Sequence, residues 1–255
     1  MSRLLFAFAL MALLPAFGTA QEKKDPLPDL LSKLRKPVEL APGDTVNLGE
    51  LKDLIADRYG VPVLLNNAAF VAAVGDNASA FQVEMPRAKG FPLGALLRQV
   101  LSQRDATFLV RRTHIEIVPI AMAAKEAKVV AEEDGTITLP TLVSAVYKEK
   151  PLNEALADLA EEHDLTIVVS PQAGENKAAF INARLLNVPA DKAIELISLQ
   201  ADLRVIKKGN AWLITSKEHE QELFDQKLDR SKQRKEVDLL GIPPGLGGLG
   251  GAPGK

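Results

Sequence analysis

Apolar residues recur every three or four positions in four stretches of the chain. Leu48, Leu51, Leu54 and Ile55 form the first set, and Leu93, Leu96, Leu97, Val100 and Leu101 the second. Leu152, Leu156, Leu159 and Ala160 form the third, and Ala193, Ile194, Ile197 and Leu199 the fourth. This is the spacing of helices that each bury one face. Short β-branched or apolar runs lie around them. In the first half these are Val38–Leu40, Val61–Leu65, Phe81–Met85, Thr107–Val110 and His114–Val118. In the second half they are Leu142–Val146, Leu165–Val169, Ala179–Ala183, Arg204–Ile206 and Ala211–Thr215. Such runs predict strands. Pro92 and Pro189 stand near a helix start, where proline's missing N–H costs nothing. Lys208-Gly209-Asn210 signals a tight hairpin, and Arg111-Arg112-Thr113 a weaker one. Each half therefore predicts the order β-α-β-β-α-β-β, an α+β fold with two helices packed on a short mixed sheet.

The halves are copies of one pattern. Residues 91–119 align with residues 188–216 without a gap, at an offset of 97. Pro92 meets Pro189, Asp105 meets Asp202, Phe108 meets Val205, Ile115 meets Trp212 and Ile117 meets Ile214. Upstream, residues 47–66 align with 151–170 at an offset of 104. The seven-residue change falls between these two blocks, five residues of it where 66–80 is longer than its counterpart 170–179. Register lost only in a loop is the expected signature of duplication.

The chain then divides as follows. Residues 1–20 carry Arg3, an apolar run from Leu4 to Phe17 and small residues at Gly18, Thr19 and Ala20. That is the layout of a secretory signal peptide, with cleavage between Ala20 and Gln21. The run is too short for a spanning helix, which needs ~17–25 residues. A charged lead-in (21–36) with a short helix at Leu27–Leu34 precedes the first repeat, 37–120. A linker (121–138) leads to the second repeat, 139–216. Residues 217–238 predict a solvated charged helix, and 239–255 a disordered Gly/Pro-rich tail.

Composition removes several classes. The absence of cysteine excludes a disulfide framework, a thiolate metal site and a lipidated N-terminal cysteine. A formal charge of −2 argues against a strongly basic nucleic-acid binder. Loss of Arg3 with the signal leaves 30 Lys+Arg against 33 Asp+Glu, a charge of −3. Aromatics at 5% argue against a stacking platform for bases or sugars.

The phrases PLNEALADLAEEHDLTIVVSP (151–171) and LNVPADKAIELISLQADLRVIKKGNAWLITS (186–216) resemble the secretin and TonB N-terminal short domain. The second repeat fits over about 75 residues. The first departs at Asn47, where proline is expected, and in its enlarged middle loop. The resemblance implies a periplasmic, non-catalytic module of the cell envelope. Such modules make protein–protein contacts beside outer-membrane secretins or TonB-dependent receptors. Nothing after residue 216 supplies the strands of a barrel. The expected role is thus accessory to an outer-membrane secretion or transport complex. A self-assembling structural envelope protein is the alternative. A small-molecule binder or enzyme on a ferredoxin-like layout is the second.

No catalytic, cofactor or metal site is expected. His114, His163 and His219 are scattered, and Glu161-Glu162-His163-Asp164 reads as a solvated helix end. Ser32, Ser79, Ser102, Ser144 and Ser170 lack a nucleophile elbow. The residues singled out for interaction are Phe70 and Val71 in the enlarged loop, Arg111 and Arg112 at the first hairpin, and Trp212. The expected partner is a protein, either a component of an outer-membrane or periplasmic complex or a second copy. No nucleic acid, and no transmembrane segment after signal removal, is expected.

Overall fold

The computed structural model describes residues 25–40, 45–129 and 138–239. The signal peptide, its Ala20/Gln21 junction and the tail beyond Leu239 lie outside the described residues.

The chain is α+β and built from two tandem copies of one unit. In the first, α1 (Leu27–Arg35), β1 (Pro37–Leu40), β2 (Thr45–Asn47) and α2 (Leu48–Tyr59) lead to β3 (Val63–Leu65) and α3 (Asn67–Val74). Then come β4 (Gln82–Glu84), β5 (Ala88–Pro92), α4 (Leu93–Ser102), β6 (Ala106–Val110), β7 (Ile115–Pro119) and α5 (Ile120–Glu126). The second unit runs β8 (Leu142–Pro151), α6 (Leu152–His163), β9 (Thr166–Val169), β10 (Phe180–Pro189) and α7 (Ala190–Gln200). It closes with β11 (Leu203–Lys208), β12 (Ala211–Ser216) and α8 (Lys217–Leu239).

The second unit has two small sheets and the first has three, where the sequence predicts one in each. β8 and β10 pair antiparallel, and β11-β12-β9 form a mixed sheet in which β12 runs parallel to β9. In the first unit β1–β5 and β2–β4 replace the β8–β10 pair, and β3-β7-β6 form the mixed sheet. The helices touch both sheets: α6 packs on β8 and β9, and α7 on β10 and β11. The reason lies in the width of the buried faces. α4 buries Leu93, Gly94, Leu96, Leu97, Val100 and Leu101, a wider arc than one sheet covers.

The duplication survives in atomic register. Val63 pairs with Ile115 in the first unit, and their counterparts Ile167 and Trp212 pair in the second. Phe108 faces Ile117 as Val205 faces Ile214. Gly60 and Asp164 end α2 and α6 in the left-handed region, at φ 63° and 53°. Asp105 and Asp202 hold φ of 48° and 54° at equivalent turns. The second unit's hairpin turns at Gly209, φ 61°. Asn47 differs from its counterpart Pro151 because it caps α2. Its side chain accepts from the Glu50 N–H at 2.8 Å, while Glu50 accepts from the Asn47 N–H at 3.1 Å.

Three segments depart from the sequence reading. The lead-in helix α1 is core, with Leu27, Leu30, Leu31 and Leu34 all buried. The start of the linker is also structural, since α5 buries Ala123 and Ala124 against β6 and β7. The charged helix read at 217–238 is present as α8, exposed over most of its described length; it begins 97 residues after α5 and also packs on β11 and β12, as α5 packs on β6 and β7. The enlarged loop folds into α3 and a 3₁₀ turn at Ala78–Ala80.

Candidate functional site at the junction of the two units

The units are docked by main chain, side chain and core. Asn187 lies in a bulged part of β10 at φ 53°. Its Oδ1 accepts from the Val110 N–H at 2.8 Å, and its Nδ2 donates to the Val110 carbonyl at 2.9 Å. The amide thus extends β6 as a strand would. Leu109, Val118, Ala123 and Leu142 form a small shared core beside it. α1 links both units through Arg35–Glu162 at 2.8 Å, and Asp25 in front of it pairs with Arg184 at 3.0 Å.

A cavity of about 300 Å³ opens in this junction. Leu31 and Leu34 of α1 with Phe108 and Val110 of β6 supply apolar walls. Arg98 of α4 and His163 of α6 enter from opposite units. The Arg98 guanidinium lies 5.2 Å from the Phe108 ring centroid. Among the described residues its hydrogen bonding is one long contact, Nη2 to the Leu142 carbonyl at 3.4 Å. Burial lowers its pKa and the Glu162 carboxylate opposes that. Both ring nitrogens of His163 are buried without a partner. Burial, then the cations of Arg98 and Arg35, push its pKa down to about 4, so the ring is neutral at pH 7. Burial raises the Glu162 pKa against the pull of Arg35.

Neutral His163 makes stability fall with acid. An unfolded histidine titrates at 6.5 and this folded one at about 4. The unfolded chain therefore takes the proton first as pH drops below 6.5, and the loss is complete near 4. Glu162, with its raised pKa, acts in the opposite sense around and above 4.5. Urea unfolding at stepped pH should show stability declining from pH 6.5 to 4. His163→Gln should flatten that slope; an unchanged slope would place its origin elsewhere.

The interaction residues read from sequence are scattered. Phe70 is 1% exposed in the first core, edge-on to Phe81 at 5.9 Å between centroids. It packs inward and is unavailable to a partner, while Val71 beside it is 52% exposed. Arg111 is held by Glu116 at 2.7 Å and by both oxygens of Glu126, so its charge is spent within the first unit. Those bonds keep the Glu116 carboxyl below its ordinary value although burial works against them. Arg112 is exposed and 3.7 Å from Asp25. Trp212 packs against the second core, with Lys207 5.3 Å from its ring centroid and its Nε1 unpartnered.

Sequence reasoning passed over Arg98 and Asn187, and read Glu162 and His163 as part of a solvated helix end. The helix end 161–164 is not wholly solvated, because Glu162 and His163 turn into the junction. A signal existed: His163 continues the buried stripe Leu152, Leu156 and Leu159 at helical spacing. Among the described residues no group of three His, Cys, Asp or Glu could hold a metal ion. No helix among them is long and apolar enough to cross a membrane.

No family model matches this chain, and no curated protein matches it. One solved structure, a "putative anti-sigma factor" from Parabacteroides distasonis ATCC 8503, is similar at 14% identity and a TM-score of 0.27. The match covers 44% of this chain and about half of that one, 47%, and is too distant to carry fold or function across.

Proposed function

We propose that this protein is an exported, non-catalytic interaction module that binds a component of an outer-membrane secretion or transport complex. The observation that supports this reading is the free edge of the second unit's mixed sheet. β9 pairs with β12 on one side and has no strand on the other among the described residues. It presents Thr166 and Val168 outward, and Val168 is 49% exposed. An unpaired edge offers a ladder of N–H and C=O groups to which an extended partner segment adds. The resemblance to secretin and TonB N-terminal short domains supplies the class of partner and the periplasmic setting.

A photo-cross-linker at Val168 tests this in the native envelope. The expected product joins this protein to an outer-membrane barrel component, and the same probe at exposed Gln99 gives none. Cross-links to itself alone, in regular multiples, would overturn the reading in favour of a self-assembling envelope protein.

A further inference from the structure

The junction cavity holds one cation that makes no ion pair among the described residues, although Glu162 acts on it at longer range. Arg35 and Glu162 cancel each other at 2.8 Å. Arg98, in the same cavity, has no carboxylate within ion-pair distance among the described residues, and one long hydrogen bond for five N–H donors. A guanidinium drawn out of water and left unpaired is costly, and a carboxylate is its natural complement. Beside it stands neutral His163, which carries one N–H donor and one lone pair, both unmet. The remaining walls, Leu31, Leu34, Phe108 and Val110, are apolar.

We propose that this cavity binds a small organic monocarboxylate with an apolar body, the carboxylate taken by Arg98 with the His163 ring beside it. Charge sets the count at one. Arg98 is the lining's one guanidinium outside an ion pair among the described residues, and exposed Glu161 at the rim disfavours a dianion such as inorganic phosphate more than a monoanion. Volume sets the size. About 300 Å³ lies at the small end of ligand pockets, enough for one ring or a short aliphatic chain. Phe108 then both stacks under the guanidinium and lines the apolar end. The ligand touches Arg98 of one unit and His163 of the other, so it binds only the docked pair and tightens the junction. This site is separate from the β9 edge and stands or falls without it.

The chain's three histidines make the test direct, since each imidazole is resolvable by NMR. The purified chain is titrated with benzoate, and with acetate as the carboxylate lacking an apolar body. The expected result is a rise of at least one unit in the His163 pKa from about 4, as the bound anion favours the imidazolium. His114 and His219 should stay unmoved. Benzoate should bind at least tenfold more tightly than acetate. Arg98→Gln should weaken benzoate at least tenfold, and Arg112→Gln should not. Nuclear Overhauser contacts from the benzoate ring to Phe108 and Leu31 in the unaltered chain provide a readout independent of any variant. A His163 signal indifferent to millimolar benzoate, or equal binding of acetate, or contacts elsewhere on the surface, would each overturn the proposal.

Discussion

Phe70→Ala lowers the unfolding free energy by ~3–5 kcal/mol, the range for truncating a fully buried phenylalanine. Two effects combine. The ring leaves the first core with 1% exposure, so its whole transfer free energy is lost. It also leaves a void beside Phe81, whose edge-on contact at 86° between planes disappears. The site cannot easily collapse to fill that void. α3 is fixed at both ends, by the Asn66 side chain accepting from the Ala69 N–H at 2.9 Å and by Gly75 at φ 82°. Val71→Ala on the same helix is the internal control. Val71 faces solvent, so its loss should stay within about 0.5 kcal/mol. Urea unfolding of both variants decides. A Phe70→Ala loss below about 1 kcal/mol would mean that α3 docks loosely and that the ring can present itself to a partner after all.

The contrast at Phe70 and Val71 shows what the sequence could and could not say. The two helices and most strands of each repeat, and the duplication, were legible because they rest on local periodicity and on matching patterns, whereas α3, α5, β2 and β5 were not read. The paired registers Val63–Ile115 and Ile167–Trp212 follow from that match. The orientation of α3 was not legible, since its face is apolar nearly all round: Ala68, Ala69, Phe70, Val71, Ala72, Ala73 and Val74. Nothing in such a helix marks which side turns in. α1 is a different case. Leu27, Leu30, Leu31 and Leu34 have clear helical spacing, but flanking charge suggested a solvated lead-in. Its partners settle the matter, and they lie on α4 and β8, far along the chain. The junction cavity was invisible for the same reason. Leu31, Arg98 and His163 come from three distant helices, and no local pattern brings them together. Arg111 failed differently. A basic pair at a hairpin turn reads as a free patch until Glu126, on a helix assigned to the linker, folds back onto it.

Asn187→Gly lowers stability by ~2–4 kcal/mol, although the position is only one amide on a sheet bulge. Glycine accepts the φ of 53° without strain, so the change isolates the side chain. What is lost is the pair of hydrogen bonds to the Val110 N–H and carbonyl at 2.8 and 2.9 Å, with a long one from the Ser144 hydroxyl to Oδ1 at 3.4 Å. Both groups stay buried in the junction, and each unsatisfied buried group costs ~1–3 kcal/mol. The bond from the Asn187 N–H to the Ser144 hydroxyl at 2.9 Å is main-chain and survives in the variant. Asn187→Ala should cost ~1 kcal/mol more, because alanine disfavours the left-handed region that glycine tolerates. The loss has a location as well as a size. Amide exchange at Val110 should quicken out of proportion to the global destabilisation, as the junction opens without either unit unfolding. Equal protection of Val110 in the variant, with a stability loss under about 0.5 kcal/mol, would show that the shared core of Leu109, Val118, Ala123 and Leu142 holds the units alone. The predicted outcome instead makes the amide the principal latch. The geometry of the Arg98–His163 cavity then depends on a residue that touches neither.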